Sequence, residues 1–359
     1  MSEWVDVGSD DELAKAGVSR CVTPKGRFAV SFKDGAFGAI ASACNHAGGP
    51  LGQGHIDGEH LVCPWHQWRF HRCTGQGGAP DQGNVPSYPI KVEGGRVLVD
   101  VSAATPRVGS KRPAHALARP VERSAGPLRL AGISTTAMDP VARRFSGSDH
   151  LLDIALEAAR GAGAETQLIR LDDLQFRACR GYYSKAAGAC TWPCSITQMH
   201  ADDELTVVYE ALVHWADAIV VATPIRWGAA SSLYFRMAER LNCIQNAITT
   251  KDKVLIKNKV AGFIIVGGQD NIQSVAGQMI GFFAELGFLF PQFPYIAHSR
   301  GWSHEDMENN VAHVRDSPEL AEGARELAGR CLELASRLLV SEGTPDSIAR
   351  GGRKANAEA

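Results

Sequence analysis

Two short stretches bring cysteine and histidine together. Cys44-Asn45-His46 sets a thiol and an imidazole two positions apart, and Cys63-Pro64-Trp65-His66 repeats the pair one residue wider. Gly48-Gly49-Pro50 follows the first stretch and Pro64 lies within the second, so both read as tight turns. Two thiolates and two imidazoles delivered in this way can close around a zinc ion. They can equally close around a 2Fe–2S cluster, with two ligands on each iron. Cys73 and Cys21 are expected at strand ends and Cys243 in a helix core, none of them on a metal.

The elements that must carry these turns are short strands. Phe28–Phe32, Ala39–Ala41 and Arg96–Asp100 are apolar or β-branched runs, separated by Lys33-Asp34-Gly35 and Glu93-Gly94-Gly95. The pattern predicts a small antiparallel sandwich over residues 1–102. Residues 103–126 carry prolines and small residues without apolar periodicity and read as a tether. From Leu128 strands alternate with helices: Leu128–Ile133, Thr166–Leu171, Ala218–Thr223, Lys259–Val266 and Phe293–Ala297 are the expected strands. The expected helices begin at Ser148 as cap, near Glu204, at Ala230, near Ile272, and at Ser317-Pro318. Residues 127–341 therefore predict a five-stranded parallel sheet covered on both faces, and 342–359 a disordered tail.

Composition narrows the partners. The 37 Lys+Arg against 39 Asp+Glu leave no basic footprint for nucleic acid. No apolar run is long enough to span a membrane, and the first residues lack an export signal. With nine cysteines scattered, the expected location is the cytoplasm.

The first ligand stretch, its loop Gly48-Gly49-Pro50-Leu51, and Trp65, Trp68 and Phe70 after the second cysteine resemble the Rieske ferredoxin family. The resemblance implies an all-β Rieske sandwich with Cys44, His46, Cys63 and His66 on a 2Fe–2S cluster. It also implies that Gly75–Pro86 covers that cluster. High-potential members carry Ser and Tyr hydroxyls where this chain has Trp68 and Phe70, and they join their ligand loops by a disulfide for which no Cys pair exists here. The expected potential is therefore at the low end of the Rieske range, near about −150 mV.

Three segments leave strands of the second domain at the end where such sheets bind ligands: Ser134-Thr135-Thr136 with Ser146-Gly147-Ser148, then Thr223 to Gly228, then Val266 to Asp270. In this order they resemble the NADPH-dependent FMN reductases and iron–sulfur flavoproteins of the flavodoxin-like superfamily. The resemblance implies FMN as second cofactor. Ser134, Ser146 and Ser148 would hold its phosphate, Pro224, Ile225, Arg226, Trp227 and Gly228 would line its ring, and Gly267 and Gly268 would allow close backbone approach. Arg226 departs from the aromatic usual there, and its guanidinium is read either as a partner for an anionic flavin or substrate or as a surface ion pair. Cys179 to Cys190 resembles a cluster motif in which Tyr182 and Lys185 replace two ligands. Cys179, Cys190 and Cys194 are therefore expected in a degenerate loop near the flavin, or at a subunit contact, without a second cluster.

No Gly-x-Gly-x-x-Gly follows a strand, so NAD(P)H, as the resemblance implies it, would bind against the flavin. The function expected is a two-domain oxidoreductase passing electrons from NAD(P)H through FMN to the Rieske cluster and on to a partner oxygenase or small-molecule acceptor. The alternatives are a ferredoxin-fed FMN reductase and a non-catalytic redox carrier or sensor. His200 and His298 are expected to be structural, and no catalytic acid is assigned. A homo-oligomer is expected by analogy with related reductases.

Overall fold

The computed structural model describes residues 2–139, 141–267, 271–301 and 303–340. They fall into two compact units. One holds the chain up to Ala118 together with Arg180–Met199; the other holds Arg119–Cys179 together with the chain from His200 onward.

The first unit begins with β1 (Trp4–Ser9), α1 (Asp10–Ala16), β2 (Val18–Thr23), β3 (Gly26–Lys33) and β4 (Ala36–Ala41). After the first ligand turn come β5 (His55–Asp57), β6 (His60–Val62), β7 (Arg69–His71), β8 (Ser87–Tyr88), β9 (Ile90–Glu93) and β10 (Arg96–Asp100). Three antiparallel sheets result, ordered β1-β10-β9, β2-β3-β4-β8 and β5-β6-β7. Successive strand side chains point to opposite faces, so β3 serves two cores. Phe28 and Val30 pack with Leu13, Ala39, Val97 and Val99, while Ala29 packs with Ile40, Leu51, Leu61, Phe70 and Val85. The second core also contains Cys44, Cys63 and Trp68, so the ligand turns grow directly out of packed apolar side chains.

Part of the expected tether is held to this unit. Val108 and Asn84 exchange backbone hydrogen bonds at 3.0 and 2.9 Å, Thr105 N–H donates to Ser87 O at 2.9 Å, and Leu117 is buried. The chain here is fixed against the loop 75–86 instead of spanning open solvent.

The second unit runs β11 (Arg129–Ser134), α2 (Gly147–Gly161) and β12 (Glu165–Arg170). An excursion, residues 180–199, ends in the short helix α3 (Ser195–Met199). Then follow α4 (Thr206–Tyr209), which continues as a π-type turn over Glu210–Trp215, β13 (Ala218–Ile225), α5 (Ser232–Lys251), β14 (Val260–Gly267), α6 (Ile272–Leu286), β15 (Tyr295–Ser299), α7 (His304–Asp316) and α8 (Pro318–Val340). The five strands are parallel in the order β12-β11-β13-β14-β15. Every one of the five predicted strands is present, the last shifted two residues onward. The order reverses direction between β11 and β13, the place where such sheets accept ligands.

Leu152, Ala155, Leu156 and Ala159 of α2 and Leu327, Ala328 and Cys331 of α8 bury against Leu130, Val220 and Ile264. Each of the Leu, Val and Ile side chains, fully buried, contributes about 1.5–3 kcal/mol, and each Ala methyl under about 1 kcal/mol. Ser146, not Ser148, caps α2: its Oγ accepts the Asp149 N–H at 3.2 Å, and Ser148 lies already inside the first turn. Helix α7 was not foreseen; its apolar periodicity is weak, and it is started by a capping box between Ser303 and Asp306. No helix among the described residues is long and apolar enough to cross a membrane.

Candidate functional site

Both ligand turns close on their own backbone. Gly48 N–H donates to Cys44 O at 3.0 Å and Cys44 N–H to Gly49 O at 2.9 Å. In the second turn Gln67 N–H donates to Cys63 O at 3.1 Å and Cys63 N–H to Trp68 O at 2.7 Å. Each turn needs a left-handed residue, Gly48 at φ 76° and Gln67 at φ 59°; glycine meets that without a Cβ penalty, and Gln67 bears it. The result is a pair of buried thiols and a pair of imidazoles whose Nδ1 atoms face each other at 2.8 Å.

The electrostatics suit metal ligation. A hydrogen bond between the thiols holds the Cys44 proton far above the ordinary thiol range and pulls Cys63 down to about 7. Burial, reinforced by the neighbouring His46, pushes His66 down to about 4, and burial also lowers His46. Neutral imidazoles are the state a metal requires; of the thiols Cys63 is the readier to lose its proton, and Cys44 would have to give up its own on binding. A Cβ on Gly49 would stand 2.7 Å from Cys63 Sγ and 3.1 Å from the Trp65 ring, so only glycine leaves space beside that sulfur. Among the described residues no three Cys, His, Asp or Glu side chains group around a single ion. The two thiols form one pair and the two imidazoles another, a donor set that could hold a 2Fe–2S cluster with thiolates on one iron and imidazoles on the other.

Two supports of this tip were not singled out from sequence. Asn45, between the first pair of ligands, donates through Nδ2 to Gln82 O, Asn84 O and Val108 O at 3.2, 3.1 and 2.9 Å, tying the loop 75–86 to the ligand turn. The other is the excursion 180–199. His66 Nε2 lies 2.8 Å from both Ala189 O and Ser195 Oγ, and Gly188 lets the Trp65 ring approach. Cys190 and Cys194 thus belong to the unit of the Cys–His turns, whereas Cys179 belongs to the other.

In the second unit a cavity of about 340 Å³ opens at the carboxyl ends of the strands, lined by Thr136, Ser146, Gly147, Ser148, Pro224, Ile225, Arg226, Trp227, Gly267 and Arg300 among others. Thr136 Oγ1 stands 3.0 Å from Ser148 Oγ and 3.3 Å from Ser146 Oγ, at the N-terminus of α2. Three hydroxyls at the positive end of a 15-residue helix suit a phosphate. Asp149 is the discordant charge: its Oδ1 accepts from Ser134 Oγ at 2.6 Å and Thr136 Oγ1 at 3.0 Å.

The expected residues divide. Ser146, Ser148, Pro224, Ile225, Arg226, Trp227 and Gly267 line the cavity. Ser134 is buried and does not line the cavity; its Oγ donates to Asp149 Oδ1, as Thr136 Oγ1 also does, but Thr136 lies on the cavity wall. Gly228 has φ 71° and accepts a hydrogen bond from Asn271 Nδ2 at 2.6 Å. A Cβ on Gly267 would meet the Ile225 side chain at 2.5 Å, so the bare backbone makes room for Ile225 on the wall of the same cavity. Gly268 lies outside the described residues. Arg226 is exposed at the cavity and forms no ion pair with a described residue.

The family profile of the Rieske 2Fe-2S domain matches residues 3–89, and that of NADPH-dependent FMN reductase matches residues 141–303. The chain is a fusion of these two families. Its Rieske part is 32% identical over 101 residues to the ferredoxin component of a naphthalene 1,2-dioxygenase system from Pseudomonas aeruginosa, covering 28% of this chain and 97% of the ferredoxin. Its match to 8-demethyl-8-aminoriboflavin-5'-phosphate synthase of Streptomyces davaonensis is 26% identical over 148 residues, 41% of this chain and 54% of the synthase. A solved structure of RosB with a bound 8-demethyl-8-formylriboflavin-5'-phosphate aligns with 65% of this chain and 94% of its own, at 21% identity and a TM-score of 0.46. The Rieske domain implies a 2Fe–2S cluster, and the FMN reductase domain implies FMN and NAD(P)H.

Proposed function

We propose that this fusion is an NAD(P)H-dependent oxidoreductase that passes electrons through FMN to the Rieske cluster and on to an acceptor, either a partner oxygenase or a small molecule. The observation that carries this reading is the presence in one chain of a two-thiol, two-imidazole tip and a hydroxyl-lined cavity at the ends of parallel strands. When bound, FMN takes up the two electrons of a hydride and the cluster carries one at a time.

The protein's own part is to hold and to orient. Cys44 and Cys63 would bind one iron as thiolates, His46 and His66 the other through Nδ1. Thr136, Ser146 and Ser148 would fix a flavin phosphate, and the backbone of Pro224 to Gly228 would border the ring. Arg226 and Arg300 place positive charge at the cavity for an anionic flavin or substrate. The riboflavin-phosphate synthase relative supports a flavin 5'-phosphate as the ligand class, and the dioxygenase ferredoxin relative supports a redox protein as acceptor.

The test is an anaerobic titration of the holoprotein with NADPH, followed by optical and EPR spectra together. Bleaching of the flavin followed by the signal of a reduced Rieske cluster is the expected result. A flavin that NADPH does not bleach, or a cluster that stays oxidised beside a bleached flavin, would overturn the route.

A further inference from the structure

The two imidazole edges of the tip are not equivalent. His66 is 2% exposed, with Nε2 at 2.8 Å from the Ala189 carbonyl and 2.8 Å from the Ser195 hydroxyl. Ser195 Oγ also lies 2.8 Å from Ala189 O, to which it donates, and it accepts the Thr191 N–H at 3.3 Å. A carbonyl can only accept, so Nε2 carries the hydrogen and Nδ1 is left bare, free to bind an iron of the cluster. Around this contact Tyr182 brings its ring to 6.1 Å from that of His66, and Gly188 admits the Trp65 ring; a Cβ there would meet it at 3.2 Å.

His46 is placed differently. It is half-buried, and it borders a cavity of about 200 Å³ lined by Asn45, Trp68, Arg112, His115 and Gln198. Among the described residues its Nε2 has one hydrogen-bond contact, a long one of 3.4 Å to Gln198 Oε1.

We propose that residues 180–199 are a built-in cap on the Rieske tip: Ala189 O and Ser195 Oγ occupy the His66 edge from within the chain, while the His46 edge, met by this segment through the longer Gln198 contact, stays open through its cavity to an outside redox partner. Ser195 is then a positioning residue, setting the tautomer of His66 and its basicity as a ligand. The excursion leaves the polypeptide after β12 and returns before α4, so this cap is furnished by sequence lying within the FMN reductase match. The inference rests on the cluster at the four ligands and not on the direction of electron flow.

Two measurements on holoprotein test it, after the cluster's EPR signal has been verified in each sample. In the first, the oxidised protein is treated at alkaline pH with diethyl pyrocarbonate, which acylates an imidazole nitrogen that is reachable and has lost its proton, and its peptides are mapped by mass. Acylation of His46 with His66 spared is expected. Equal rates at the two rings, or no reaction at His46, would overturn the asymmetry. In the second, the cluster's reduction potential is compared in native protein, Ser195→Ala and Ser195→Thr. An accepted N–H bond makes the ligand more basic and favours the oxidised cluster. Ser195→Ala should therefore shift the potential upward while Ser195→Thr keeps the native value. An unchanged potential in Ser195→Ala would remove Ser195 from the role.

Discussion

His46 Nδ1 and His66 Nδ1 face each other at 2.8 Å although 20 residues separate them in sequence. Trp68 stacks on His46 with ring centroids 4.9 Å apart, so the imidazole plane is set by packing before any metal arrives. Cys44 and Cys63 are buried in the same apolar cluster as Leu51, Leu61 and Phe70. A preformed donor set of this kind lowers the ordering cost of binding the cluster.

Replacing one ligand should therefore remove the cluster and little else. Cys63→Ser is expected to abolish the reduced-cluster EPR signal while leaving the flavin absorbance of the protein in place. Gly49→Ala should do nearly the same through sterics, because its Cβ would sit 2.7 Å from Cys63 Sγ. Iron content per chain and the EPR signal measure both. A Gly49→Ala protein with full iron would show that the turn can yield.

The apoprotein should lose stability in acid through His66. Its pKa lies near 4 in the folded state, lowered by burial and by His46, against an ordinary value of 6.5. Between those values the unfolded chain binds more protons than the folded one, so stability rises with pH across this window. The contribution is complete above about pH 6.5 and is lost as pH falls toward 4, amounting to about 3 kcal/mol for a shift of this size. Urea unfolding of iron-free protein at several pH values should show the loss, and His66→Asn should flatten it. Parallel pH curves for the two proteins would exclude His66 as the source.

The sequence made the local chemistry legible and hid what depends on distance along the chain. Cys44, His46, Cys63 and His66 announce themselves because each pair lies within one turn, and the alternation of strands and helices after Leu128 gave the parallel sheet. Ser195 meets His66 across 129 positions, and nothing in the pattern of either residue signals it. Ser134 and Thr136 illustrate a subtler limit. Both are hydroxyls at the end of β11 and both donate to Asp149, but Thr136 borders the cavity and Ser134 does not. Gly267 lines the cavity, and the Ile225 side chain packs where its Cβ would stand, a contact that no spacing announces.

The phosphate assignment separates Thr136 from Ser134. Thr136→Ala should weaken FMN binding about tenfold, the usual cost of one hydrogen bond to a charged group. Riboflavin, which lacks the phosphate, should be affected much less. Ser134→Ala should change FMN affinity by less than about twofold, since Ser134 is buried and, unlike Thr136, does not line the cavity. Fluorescence titration of apoprotein with FMN and with riboflavin gives the four comparisons. Equal losses for both ligands in Thr136→Ala would place the phosphate elsewhere.

The feet of the excursion are held by a buried ion pair in the flavodoxin-like unit. Arg240 and Asp203 are both fully buried, with Nη2 to Oδ2 at 2.6 Å. Arg240 Nη1 also donates to Arg177 O at 2.6 Å, and Asp203 Oδ1 accepts the Arg177 N–H at 2.9 Å. Arg177 stands just before residue 180 and Asp203 just after residue 199, so one pair pins both ends of the segment. Asp203→Asn would leave a buried guanidinium without its counter-charge, a change that costs about 3–5 kcal/mol. Denaturant unfolding of the flavin-bearing unit should show that loss. If the excursion depends on its feet, limited proteolysis of Asp203→Asn under native conditions should cut first between residues 180 and 199; cleavage no faster than in native protein would show that its contacts with the Rieske tip hold it without them.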